Sequence, residues 1–191
     1  MRKFFLVVLA VILSSMLITS ASAQEMKSSK EISDITGRVG IGYNLGWVKE
    51  HREEDEIGRR RDIDLNHSLN VTYGIDKRFA LRLEGGYGHG DGKRDSEDEE
   101  LYSLYGDVVL REGIDRVVPY AFLGAGFQNY NTGDLFKGDK SFSGRAGVGL
   151  EYFVSQDVVI NGEGLYFEGG NDTLDGWQVR GGIKFYLPSY Y

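Results

Sequence analysis

The chain has no cysteine and only two prolines among 191 residues. The lack of thiols excludes a disulfide framework, a thiolate metal centre and a cysteine nucleophile. Whatever fold forms must hold without covalent staples. Scarce proline excludes a proline-rich linker or tract, although glycine, at 27 residues, is about twice as frequent as usual. Basic residues are in deficit too: 22 Lys and Arg face 29 Asp and Glu, a formal net charge of −7. Nucleic acid is therefore not an expected partner, because a phosphate-binding surface needs clustered Lys and Arg. Finally, beyond the N-terminal stretch no apolar run approaches the ~20 residues of a membrane helix. Any membrane role must fall to strands or to a peripheral surface.

What is present begins with Arg2-Lys3, the apolar run Phe4 to Leu13 and the small residues Ala21-Ser22-Ala23, which together read as a secretory leader over 1–23. Residues 24–34 form a polar lead-in, expected in the periplasm, and 35–191 form the folded unit. From Ile35 onward the pattern is period two, which predicts strands rather than helices. Eight are read: Val39 to Trp47, Ile63 to Tyr73, Phe79 to Tyr87, Tyr102 to Leu110, Ala121 to Phe127, Phe142 to Tyr152, Val158 to about Glu168, and Trp177 to Leu187. Long polar loops (about 50–61, 90–100, 131–140 and 169–175) follow the odd strands, and tight turns follow the even ones. The odd strands recur every 39 to 40 residues, at Val39, Phe79, Val118 and Val158, so one hairpin is one repeat. Four hairpins in series predict an all-β, eight-stranded antiparallel up-and-down barrel, closed so that no edge is left unpaired.

Alternation alone does not say which face meets which medium. Strands of about 11 to 13 residues exceed the ~5 to 6 usual in globular sheets and suit a tilted bilayer crossing, which takes ~9 to 11. The polar face is rich in Gly, Ser and Asn, as a narrow interior requires. On the apolar face, aromatics gather at the strand ends: Trp47, Tyr87, Tyr102, Phe127, Phe142 and Trp177 toward the long loops, and Tyr73, Phe79, Tyr152 and Phe185 toward the turns. Two such belts are what membrane interfaces select, so the apolar face is expected to meet lipid.

The leader ending Ala21-Ser22-Ala23, the segment Pro119 to Phe127 and the terminal Gly182-Ile183-Lys184-Phe185-Tyr186-Leu187 give the chain its likeness to a known group. It resembles the small eight-stranded outer-membrane barrels of Gram-negative bacteria, the OmpA transmembrane-domain and OmpX-like group. The resemblance implies an outer-membrane transmembrane barrel with periplasmic N- and C-termini, surrounded by outer-membrane lipid and lipopolysaccharide and acting as a monomer. It also implies handling by the barrel-assembly machinery, through a signal whose last aromatic is Tyr191.

On the inward face Arg38, Arg82, Arg145, Arg180 and Lys184 stand with Glu84, Asp107, Glu151 and Glu163. Counted from the turns, Glu84, Glu163, Arg145 and Arg180 fall near mid-depth, and a central network of paired charges is expected there. A plugged, cross-linked interior is the plain reading of such a set, and a narrow or gated channel for small solutes is the alternative. The loops carry most of the negative charge: six acids and four bases over 50–62, and six acids and two bases over 90–100. That acidic rim suggests a structural or surface-interaction, adhesin-like role with an extracellular ligand. A lipid A-modifying hydrolase is a further class, since His67 lies on the apolar face. Its neighbour Ser68 points to the other face, however, and a triad needs the hydroxyl within reach. No enzyme activity is expected. No metal site is expected either, because His51 and His89 lack ligand spacing and Glu97 to Glu100 lacks the spaced oxygens of a calcium loop. No cofactor motif is present.

Overall fold

A computed structural model describes residues 32–50, 62–91, 98–113, 116–132, 139–169 and 175–188. The leader, most of the lead-in, the centres of the four long loops and Tyr191 lie outside the described residues.

Eight strands follow one another: β1 Val39–Glu50, β2 Asp62–Gly74, β3 Phe79–Asp91, β4 Asp98–Arg111, β5 Val117–Thr132, β6 Asp139–Phe153, β7 Val158–Gly169 and β8 Gly176–Tyr186. Each pairs antiparallel with the next, and β1 pairs with β8, so the sheet is a closed barrel. Closure leaves no unpaired edge. Among the described residues no helix is long and apolar enough to cross a membrane. Several strands run further into the loops than the alternation suggested. β4 starts at Asp98 and β5 ends at Thr132, because ladder hydrogen bonds continue past the apolar band wherever two polar strands stay in register.

The short turns carry their own chemistry. Asp76 Oδ1 accepts the backbone N–H groups of Arg78 and Phe79, each at 2.7 Å, and Ser155 Oγ accepts those of Asp157 at 3.3 Å and Val158 at 3.1 Å. These side chains satisfy turn donors that the ladder leaves free.

The outer wall is apolar: Leu69, Leu83, Leu104, Val108, Leu150, Ile160 and Val179 are all more than half exposed. Eight residues separate Tyr87 from Phe79 along β3, roughly 27 Å of strand. With a tilt near 40° that is roughly 20 Å of height, close to the ~25 Å apolar band of a membrane barrel. Inside, the sequence leads one to expect mostly small and polar residues, but the structure adds apolar plugs. Val48, Leu101, Leu165 and Phe167 are buried toward the long-loop end, and Ala80, Val109, Val118, Phe153 and Val159 toward the short-turn end. Ile35, fully buried, closes that lower opening from beneath, held by a turn in which Arg38 N donates to Ile35 O at 2.9 Å and Gly37 N to Gly74 O at 2.8 Å. Ile35, the first residue after the lead-in, is thus a stopper for that end.

Candidate functional site

Alternation sends Arg82 and Glu84 (β3), Asp107 (β4), Arg145 (β6), Glu163 (β7) and Arg180 (β8) to the inside, where each is at most 4% exposed. Register then decides which of them meet. Arg82 is directly opposite Asp107, and Glu163 directly opposite Arg180. Asp107 and Arg145 flank Gly124 in one row of three strands. A Cβ at Gly124 would fall on Asp107 Oδ1, so the glycine lets the two side chains meet across β5.

The six groups close a ring of alternating sign. Arg82 Nε donates to Asp107 Oδ2 at 2.7 Å, and Arg82 Nη1 to Glu163 Oε2 at 2.8 Å. Arg145 joins Asp107, through Nε at 2.8 Å and Nη2 at 2.6 Å, to Glu84 through Nη1 at 2.5 Å. Arg180 holds Glu84 through Nη1 at 2.6 Å and Nη2 at 2.7 Å, and its Nε completes the circuit to Glu163. Every acid therefore accepts from two arginines, and the ring is neutral. Tyr120 O–H adds a bond of 2.7 Å to Glu163 Oε2, reaching across Gly149, where a Cβ would meet the phenol oxygen at 2.5 Å. Arginine planes also lie over rings: Arg82 Cζ is 4.2 Å from the Phe122 centroid and Arg145 Cζ 4.1 Å from that of Tyr105.

Below the ring, Glu151 binds Arg111 Nη2 at 2.8 Å and Lys184 Nζ at 2.7 Å. Above it, Gln178 Nε2 donates to Asn66 Oδ1 at 2.8 Å, and Tyr105 O–H, Ser143 and Gln128 form a hydroxyl–amide cluster. The inner cavity bounded by Glu84, Tyr105, Gln128, Arg145 and Arg180 amounts to about 20 Å³, room for about one water.

The four mid-depth residues named from the sequence thus meet in the ring, joined by Arg82 and Asp107, while Lys184 lies one layer lower. Arg38 departs from the inward set. It sits at the short-turn rim, paired with Asp157 and donating to Gln156 O at 2.7 Å, because it precedes β1 and the chain there turns beneath the barrel. Arg111 takes its place inside. It shares the parity of Asp107 and Val109, so extending the alternation of β4 by one step would have found it. Tyr120 was missed likewise, because β5 starts earlier than its apolar pattern.

The belt residues stand on the outer wall at its two rims. Toward the long loops are Trp47, Tyr87, Tyr102, Phe127, Phe142 and Trp177, with ring pairs Tyr87–Tyr102 at 5.2 Å and Phe127–Phe142 at 5.5 Å. Toward the turns are Tyr73, Phe79, Tyr152 and Phe185. His67 is level with the upper belt, in the row Leu45, His67, Tyr87, Tyr102. Its Nδ1 is 2.5 Å from the Tyr43 hydroxyl. Ser68, one residue on, is buried inside and accepts from Arg180 at 3.3 Å. His67 and Ser68 are therefore on opposite sides of the wall. Among the described residues no group of three or more His, Asp or Glu is placed to hold a metal ion.

By sequence, residues 10–185 match the profile of the outer membrane protein beta-barrel domain. The chain belongs to that family. It is an outer-membrane barrel of the kind found in Gram-negative bacteria, set among lipid and lipopolysaccharide. In shape this barrel is similar to OprG of Pseudomonas aeruginosa (TM-score 0.63, 13% identity, covering 84% of this chain and 100% of that one). It is also similar to Neisserial surface protein A (0.62, 13%, 77% and 96%). A third likeness is to Ail of Yersinia pestis in complex with the heparin analogue sucrose octasulfate (0.54, 19%, 78% and 97%). At such identities the likeness is one of fold. No curated protein matches the chain.

Proposed function

We propose that this outer-membrane barrel is a non-catalytic envelope protein: a rigid, closed strut that presents acidic loops at the cell surface for structural or adhesin-like contacts. In this reading the short turns and both termini face the periplasm and the long loops face outward. The observation that carries it is the filled lumen. A neutral ring of three arginines and three acids spans the middle, apolar plugs lie above and below it, and the cavity on its long-loop side amounts to about 20 Å³. An eight-stranded wall leaves an interior just wide enough for side chains, and here those side chains neutralise one another instead of lining a path. His67 faces out and Ser68 faces in, so these two do not form the nucleophile–base pair of a hydrolase.

The loop charge selects the contact. The Ail structure holds a sulfated heparin analogue, but loops with six acids to two bases over 90–100 repel a polyanion. They fit a basic protein surface, or divalent ions bridging their carboxylates to lipopolysaccharide phosphates. A deletion strain tests the whole reading. Its lipid A mass spectrum is expected to be unchanged, liposomes carrying the protein are expected not to swell in small-solute gradients, and surface adhesion or resistance to chelators is expected to fall. Swelling would establish a channel, and an altered lipid A acylation pattern a hydrolase.

A further inference from the structure

Seven of the eight strand pairs join neighbours in the chain, and three of those seven are closed at the lower rim by short turns: β2–β3, β4–β5 and β6–β7. The eighth joins the last strand to the first, from Gly40 opposite Tyr186 to Glu50 opposite Gly176. Neither a turn nor a loop connects these two strands. Loop-closure entropy makes so distant a pairing the most costly to form, and a ladder unclosed at its end frays first. The seam between β8 and β1 is therefore where this barrel opens.

Arg38 stands just below the lower end of that seam. It precedes β1, yet its side chain is only 10% exposed, because its guanidinium reaches across to the elements on the far side. Nε donates to Leu187 O and Nη2 to Tyr186 O, each at 3.2 Å, at the end of β8. Nη1 donates to Gln156 O at 2.7 Å in the β6–β7 turn, where Asp157 supplies the opposite charge. A planar fork with five donors meets several acceptors at once, which a lysine does not. On the near side the Arg38 carbonyl accepts from Gly74 N at 3.0 Å, at the end of β2. One residue thus ties both neighbours of β1 together. The segment before it is fitted to the same rim. The three atoms nearest to a Cβ built at Gly74 all belong to Ile35, and one built at Gly113 would meet Ser33 Oγ at 3.0 Å. Arg111 Nη1 donates to Ser33 O at 3.5 Å, and Asp34 Oδ1 accepts from Thr36 N at 3.0 Å and from the Thr36 hydroxyl at 2.6 Å.

We propose that residues 33–38 form a clasp that takes the place of a fourth short turn and sets the lifetime of the closed barrel. Its docking points come from β2, β4, the β6–β7 turn and the end of β8, elements that stand together only after β8 has paired with β1. The clasp therefore closes after the seam, and its contacts are absent while the seam is forming. Interactions missing from the transition state slow unfolding and leave the folding rate alone.

The test is the rate of unfolding and refolding in urea of protein refolded into lipid vesicles, read from gel mobility before heating. Arg38→Met is expected to unfold about tenfold faster, the worth of one hydrogen bond to a charged group, and to refold at the wild-type rate. Gly74→Ala, which displaces Ile35 and leaves Arg38 in place, is expected to do the same. Arg78→Met, at the same rim but away from the seam and 66% exposed, should change neither rate. A bridged seam separates a clasp from general stabilisation. Ile41 and Phe185 are directly opposite on the outer wall, and opposite residues of an antiparallel pair lie about 4.5 to 5.5 Å apart, within the range of a disulfide. The natural chain has no cysteine, so Ile41→Cys with Phe185→Cys forms its bridge without a competing thiol. Once the seam is bridged, Arg38→Met should no longer accelerate unfolding. Acceleration that persists across the bridge, unchanged unfolding of Arg38→Met, slower refolding, or an equal effect of Arg78→Met would overturn the proposal. If Gly74→Ala does not fold, Arg38→Met in its bridged and unbridged forms carries the test.

Discussion

Arg145 offers the sharpest perturbation of the lumen. Its guanidinium makes three hydrogen bonds to two carboxylates and covers the Tyr105 ring. Arg145→Met keeps comparable length and removes the charge. Asp107 is then left to Arg82 alone and Glu84 to Arg180 alone, and the ring carries one uncompensated negative charge out of reach of bulk water. Breaking a buried pair in this way costs about 3 to 5 kcal/mol. The upper end applies here because all five remaining ring charges are themselves held in bonds and cannot reorient freely. Adding Asp107→Asn restores neutrality around Arg82, Glu163, Arg180 and Glu84. The double variant is therefore expected to be more stable than the sum of the single costs by at least about 1 kcal/mol. Urea titration of protein refolded into lipid vesicles measures this, with Trp47 and Trp177, both exposed on the wall, as fluorescence reporters. Single costs below about 1 kcal/mol with strict additivity would refute the reasoning, as would a conductance change in planar bilayers without loss of stability, which would make the ring part of a pore.

Other outcomes follow from the same geometry. Gly124→Ala should cost about 1 to 3 kcal/mol by overpacking against Asp107, and the same titration reads it. Leu81→Arg and Val148→Arg on the outer wall should each cost about 2 to 4 kcal/mol near mid-depth, whereas Gln156→Arg, at an exposed position in a short turn, should be near neutral; equal tolerance would mean that the faces are reversed. Ile35→Ala should destabilise by about 2 to 5 kcal/mol, since the stopper is fully buried. The protein should fractionate with the outer membrane and migrate faster on gels unheated than boiled; recovery as a soluble species would end the membrane reading.

Strand number, order and facing were legible in the sequence, because a period of two and a repeat of 39 to 40 residues are local properties of the chain. So were the rim aromatics and most inward charges. A residue's parity is set by its immediate neighbours, which is why Arg82, Glu84, Asp107, Arg145, Glu163, Arg180 and Lys184 could be assigned to one face without coordinates. Which of these charges touch was not legible. That depends on stagger between strands, and the stagger comes from closing β8 onto β1, a condition on the whole sheet. The meeting of Asp107 and Arg145 over Gly124, of Tyr120 and Glu163 over Gly149, and of His67 with Tyr43 on the outer wall each joins residues that share no local pattern. The stopper at Ile35 is the same kind of fact: Ile32 and Ile35 stand just ahead of β1, nothing local says that they cover an opening, and only the open lower end of a finished barrel gives Ile35 a place to be buried.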